Sequence, residues 1–295
     1  MEMKTIQGVS KLFIVLLFIV ISFTVGCEPQ EEYERSLELS KPANGIEVVE
    51  AKTKNGDIVY NGDETSDFKV IAKIQARARV METAQRLAEE TKVLLEEADN
   101  KIVVKIEKPE TGDRESVSVS LDIAGPEAMA VAFVSKNGDI VVNQINKNMK
   151  VVTKNGDIKA CGIGLDADAV SKNGDIRFDK IGGNVIAKTK NGDIMVNGVK
   201  GNSEIVSKNG DINLSYEPAV TDVSNISIVN KNGSIDLKAP RWDSVKIDLA
   251  TKNGRVDCQY PVQFHGKLEG AGQWTVGDGK NTLKVSTKNG DIKIH

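Results

Sequence analysis

The pentad Lys-Asn-Gly-Asp-Ile sets an ammonium, an amide and a carboxylate within five residues. It occurs at Lys54, Lys136, Lys154, Lys172, Lys190, Lys208 and Lys288, with Lys-Asn-Gly-Ser-Ile at Lys231 and Lys-Asn-Gly-Arg-Val at Lys252. Aspartates such as Asp157, Asp175 and Asp193, recurring beside glycine, are calcium ligands in repeat proteins with a nine-residue glycine-rich period. Here the interval from Lys136 to Lys208 is 18 residues each time, the double glycine is missing, and the lysines repel a cation. No metal is expected. Clustered carboxylates with a base or metal would cleave polysaccharide, but a catalytic cluster breaks a repeat, and these aspartates keep to it. His265 and His295 are the two histidines, and no Ser-His-Asp or metal-ligand grouping forms around them. The chain reads as no enzyme, with no cofactor.

Two other sets of residues carry possible chemistry. Trp242, Tyr260, Phe264 and Trp274 cluster in the less regular 240–275 stretch of a chain only 4% aromatic, where rings stack on sugars or a partner, or else fill a core beneath irregular loops. Cys27 follows Lys4, Lys11, an apolar run over 12–25 and Gly26. That is the order of a secretory signal, and the run falls short of the roughly 20 residues of a spanning helix. Thr24-Val25-Gly26-Cys27 resembles the lipobox of bacterial lipoproteins, with Thr24 departing from the usual Leu. The resemblance implies a diacylglycerol on the Cys27 thiol and cleavage before it, and two acyl chains anchor stably where one is marginal. Residues 1–26 are then a lipoprotein signal peptide. Residues 27–44, with Glu28, Glu31, Glu32 and Glu34, read as a solvated acidic tether.

Loss of residues 1–26 removes two lysines and one glutamate and takes the net charge from −3 to −4. A weakly acidic chain argues against nucleic acid, which needs a basic face. Cys161 and Cys258 lie in distant rows, too far apart for a disulfide.

Around the pentads the apolar residues alternate in the strand pattern. Ile140, Ile158, Ile176 and Ile194 form one column, and Val142, Ala160, Phe178 and Val196 another. Asn-Gly makes one turn, because both residues tolerate positive φ, and Gly182-Gly183 and Gly201-Asn202 another. An 18-residue unit of short strands buries its apolar side only by stacking on its neighbours. The fold class expected is all-β, a single-chain parallel β-solenoid (β-helix) over 131–295. The Thr or Ser before each lysine is expected to face inward and hydrogen-bond along the stack, the asparagines to form an amide ladder, and the Lys and Asp columns to offset one another as a neutral surface stripe.

Within 45–130 the repeat lapses after Lys54. Alternation over 70–78 predicts a strand, apolar spacing from Val80 to Ala98 predicts one amphipathic helix, and strands resume at 101–107 and 116–123. A helix over terminal strands caps a solenoid end, or else binds a partner. The row ending at His295 is expected to be uncapped unless 240–285 folds over it or another chain does, which raises self-association. Specific function is expected where the repeat fails, in 60–130 and 237–285.

The Gly56-Asp57-Ile58 turn ahead of the helix, the 116–123 strand leading into the rows, and the closing 266–292 segment resemble the bacterial β-strand-repeat family labelled "putative adhesin", of unknown function. The constant lysine before each Asn-Gly departs from that family. The resemblance implies a β-solenoid at the cell envelope. The function expected is a lipid-anchored, exported, non-catalytic adhesion or binding scaffold at the membrane or cell surface, with wall glycan, a host surface or another copy as partner. The alternative is an envelope-stress sensor acting with a membrane partner.

Overall fold

A computed structural model describes residues 30–218, 220, 223–259 and 271–295, with the backbone alone at 13–15 and 264–266. Each pentad forms the bend between two strands. The strand before the bend ends on the pentad asparagine, as in Met149–Asn155 and Ala167–Asn173, and the strand after it starts on the pentad isoleucine, as in Ile158–Ile163 and Ile176–Ile181. Rows stack parallel and in register, Ile158 beside Ile176 and Ile176 beside Ile194. Two long sheets result, a lysine-side sheet of 12 strands and an isoleucine-side sheet of 14. The fold is the expected solenoid rather than a closed barrel. Inward columns such as Ile140, Ile158, Ile176 and Ile194 are fully buried between the sheets, each isoleucine contributing about 1.5–3 kcal/mol.

At the bend only the glycine takes positive φ, +149° at Gly138, +152° at Gly156 and +148° at Gly174, while the asparagine stays outside that region. A Cβ on Gly174 would lie 1.9 Å from the Gly156 carbonyl oxygen in the row beneath. Glycine is therefore required by close approach of backbones as well as by φ. A further left-handed position, unseen in the sequence, recurs eight residues after the lysine at Gln144, Gly162, Lys180 and Gly198.

The rows do not stack in chain order. The Lys136 row lies directly on the Lys54 row, Ile140 pairing with Ile58 and Thr53 with Ser135, and the 60-odd residues between them fold to the far side. There Lys101–Glu107 and Ser116–Pro126 pair parallel with the Lys54 row and imitate one more row. The Asp67–Ala78 strand runs antiparallel to Ser116–Pro126, and Glu31–Pro42 antiparallel to Asp67–Ala78. The helix packs across these two outer strands through buried Ala84, Leu87 and Ala88. Arg35 donates to the Glu89 carbonyl at 3.0 Å, placing a cation at the helix C-terminus, where the macrodipole favours one.

Two expectations are corrected. The helix spans Met81–Glu90 only, and Lys92–Ala98 is a strand that turns back at Asp99 (φ 56°) onto Lys101–Glu107. The apolar spacing at Val93 and Leu95 serves a strand as well as a helix, and the available partner strand decides. The stretch read as a tether forms, over Glu31–Pro42, a 12-residue strand whose Leu37 is buried, because the edge of Asp67–Ala78 offers it a full hydrogen-bonding ladder. The backbone of Phe13–Val15 lies antiparallel beside it.

The carboxyl-terminal row is covered on both sides. Asn281–Asn289 lies between Asn225–Asn232 and Val245–Asn253, and Ile292–Ile294 between Ile235–Lys238 and Val256–Cys258. Antiparallel strands Ala271–Val276 and Phe264–Gly266 then finish the two sheets. Of the expected alternatives, folding back of 240–285 is the one found. Both ends of the parallel stack thus end in antiparallel strands of the same chain.

Candidate functional site: the lysine face of the solenoid

Within the pentad, each residue but one is bonded into the fold. The asparagine amides form a ladder through all nine rows, each Nδ2 donating to the Oδ1 of the row beneath at 2.6–2.7 Å, from Asn137 on Asn55 to Asn253 on Asn289. The residue before the lysine is buried, as expected, but its hydroxyl bonds the backbone rather than its counterpart. Thr153 donates to Gly138 O at 3.0 Å, Ser171 to Gly156 O and Thr189 to Gly174 O at 3.1 Å. In the Lys231 row Asn230 takes the same place and donates to Gly210 O at 2.8 Å.

The aspartates are bonded too. Asp139 Oδ1 accepts from the Asp157 N–H at 2.7 Å, and Asp157 Oδ1 from the Asp175 N–H at 2.8 Å. Where Asp is replaced, the backbone still donates downward: Ser234 N–H to Asp211 and Arg255 N–H to Asp291, each at 2.8 Å. This column therefore satisfies the backbone of the next bend, a duty that explains its period.

The lysine is the exception. All nine pentad lysines are exposed, and among the described residues none of their Nζ atoms is hydrogen-bonded or ion-paired. The Lys and Asp columns do not meet as ion pairs among the described residues. Two residues earlier on the same outward face runs an apolar column, Val134, Val152, Val170, Val206 and Val229, with Val134 and Val229 each 39% exposed. Lysine and valine columns together line a groove of about 990 Å³ across the Lys54 to Lys190 rows, with eight lysines and no carboxylate among its lining residues.

Ile106 and Lys108 close the groove at the helix end. The Lys108 ammonium donates to Val117 O at 3.1 Å, and its pKa is pushed down to about 8, first by burial and then by repulsion from Lys54. Lys188, on the valine column, pairs with Glu204 at 2.6 Å. The outward valines were the sequence signal for this groove: an apolar residue recurring on the solvent face of a strand has no core to serve.

Of the four aromatic candidates, the side chains of Trp242 and Trp274 are described. Trp242 is 4% exposed and donates its indole N–H to Val223 O at 2.8 Å, so it fills core, the second of its two readings. Trp274 packs partly buried against the core from Ala271–Val276, opposite Ile247. Phe264 is described by its backbone only, and Tyr260 and Cys27 lie outside the described residues, as does most of the signal segment. Cys161 and Cys258 are not joined by a disulfide, and Cys258 is buried. Among the described residues no helix is long and apolar enough to cross a membrane.

Two parallel-rich sheets closed by antiparallel ends, with rows built on Asn-Gly bends, define the class: a β-strand-repeat solenoid. The chain belongs to the Toastrack DUF4097 family, whose model matches residues 35–295. It is similar in solved structures to a "putative adhesin" from Parabacteroides distasonis (13% identity, TM-score 0.47, covering 89% of this chain and 97% of that one). A "putative adhesin" from Bacteroides fragilis matches at 14% identity and TM-score 0.39, covering 88% and 97%. A "putative cell adhesion protein" from Clostridium sporogenes matches at 16% and 0.29, covering 90% and 99%. No curated protein matches.

Proposed function

We infer that this chain is a non-catalytic binding scaffold of the cell envelope, held to a membrane by a lipid on Cys27 and presenting its stacked rows to an extended partner outside. One observation carries the reading: the pentad aspartates, the carboxylates a catalytic site would need, spend an oxygen on the backbone of the next row, while an exposed, repeated face remains. Equivalent weak contacts along such a face add up when the target is also repetitive, as wall glycan and host surfaces are.

The test is retention of the purified protein on isolated cell wall and on host matrix. Binding to either supports the reading. Retention on neither, together with recovery of an inner-membrane protein, overturns it in favour of a sensor. Anchoring is tested separately: Cys27→Ser is expected to release the protein from membranes and to leave the precursor uncleaved. Membrane association at unchanged size removes the lipid from the account.

A further inference from the structure

We propose that the lysine face is a binding track for a linear polysaccharide bearing carboxylates on its sugar rings, lying along the solenoid axis across the rows from Lys54 to Lys190. This deepens the scaffold reading and rests on it.

The case begins with what the fold leaves unexplained. Asparagine, glycine and the residue before the lysine hold the bend in all nine rows, and the isoleucine and aspartate columns serve the core and the next backbone. Lysine does none of this, yet it is present nine times, including in the Lys231 and Lys252 rows, where the aspartate is replaced. Retaining it has a cost. Ammonium groups at the coil spacing of about 4.8 Å repel by about 1 kcal/mol per adjacent pair in water before salt screening. The aspartates do not relieve it by pairing, since none forms an ion pair with a pentad lysine among the described residues. A repulsive column kept without a structural duty is relieved by an anion from outside.

The shape selects the anion. The charges form a line rather than a patch, so the complement is a chain with charge at every unit or every second unit. Beside them the valine column offers Val134, Val152 and Val170 to the occupant. A bare phosphate chain has no use for that apolar track, whereas pyranose rings lay their C–H faces on it and turn their carboxylates toward the ammonium groups. Lysine suits this task, because a mobile point charge with three donors tolerates imperfect match between polymer and coil spacing. The chain's net charge of −3 hides the track, since no carboxylate is among the residues lining the groove. The rows, rather than the stretches where the repeat fails, thus carry the site.

The experiment uses the full chain and a polygalacturonate oligomer as probe, with a neutral dextran and single-stranded DNA of equal charge beside it. Polygalacturonate is expected to bind and to be released by salt, dextran not to bind, and DNA to bind more weakly. Substituting Lys136, Lys154, Lys172 and Lys190 by Gln is expected to weaken binding on the order of tenfold or more, because adjacent contacts act together. Substituting Lys147, Lys159, Lys238 and Lys293, exposed residues away from this face, changes net charge equally and is expected to leave binding within about twofold. Failure to bind polygalacturonate, equal loss in both variants, or DNA binding as tight as glycan overturns the proposal. Retention of the Lys136/Lys154/Lys172/Lys190 variant on cell wall at the wild-type level defeats the track while leaving the scaffold reading standing. Loss of wall binding by the wild type itself defeats the scaffold reading.

Discussion

The Asn253 amide donates to Asn289 Oδ1 at 2.6 Å, and Asn289 donates in turn to Asn232 at 2.6 Å. The last pentad of the chain is thereby bonded between two that precede it. A stack made in this order closes only when its carboxyl terminus arrives, and four strands then gain a partner at once. In a solenoid of nearest-neighbour contacts, that row is an interior support rather than a frayed end.

Removal of residues 278–295 therefore takes away both strands on which the Lys231 and Lys252 rows lie. Thermal unfolding and limited proteolysis are expected to show cleavage throughout 225–259 and loss of the cooperative transition for this end. A truncated protein with the full-length melting profile and an intact 225–259 segment contradicts this row order.

Two bends with positive φ respond in opposite directions. Gly174→Ala puts a Cβ against the Gly156 carbonyl, backbone that cannot move aside, and is expected to cost on the order of 3 kcal/mol in chemical denaturation. Lys180 holds φ 59° with a side chain, and Lys180→Gly is expected to stabilise by about 1 kcal/mol. Equal effects of the two would show that φ and close approach do not govern these corners.

The asparagine ladder and the hydroxyl column make separable contributions. Asn173→Ala removes the bond it donates to Asn155 and the one it accepts from Asn191, with an expected loss of about 2 kcal/mol. Ser171→Ala removes one bond, to Gly156 O, with about 1 kcal/mol. Urea titration of both variants checks the ratio, and a neutral Asn173→Ala means that the ladder is incidental to stability.

Lys108 gives the fold a pH dependence of known sign. Its folded pKa of about 8 lies below the ordinary 10.5, so between these values the unfolded chain binds more protons and stability rises with pH. The penalty is fully present below pH 8 and relieved as pH climbs toward 10.5. Lys108→Met is expected to melt higher than wild type at pH 7, with the gap closing by pH 10. A gap independent of pH means that the ammonium is not desolvated.

Legibility in the sequence followed local uniqueness. The columns of Ile140, Ile158, Ile176 and Ile194 face the core as their alternation requires, because a period of two admits one inward set. Val80–Ala98 was ambiguous for the opposite reason. Ala84, Leu87 and Ala88 make a helical stripe, while Val93 and Leu95 fit either element until Lys101–Glu107 supplies a ladder. Glu31–Pro42 was hidden by its acidic residues, of which Glu32, Glu34 and Glu38 share one face of the strand while Leu37 is buried on the other. The lysine groove was concealed by assigning Lys and Asp to each other, whereas Asp157 Oδ1 accepts from the Asp175 N–H and no carboxylate is among the residues lining the groove.

The pentad by itself determined the bend, the buried columns, the stacked architecture and the place of the lysine on the surface, since these follow from residue types within a single 18-residue unit. Tertiary structure alone decided that the Lys288 row sits between the Lys231 and Lys252 rows, that the ends close with antiparallel strands, and that the lysines stand unpaired beside an apolar track. Nearly identical pentads are interchangeable to their immediate neighbours. Their order is set by which distant strands meet.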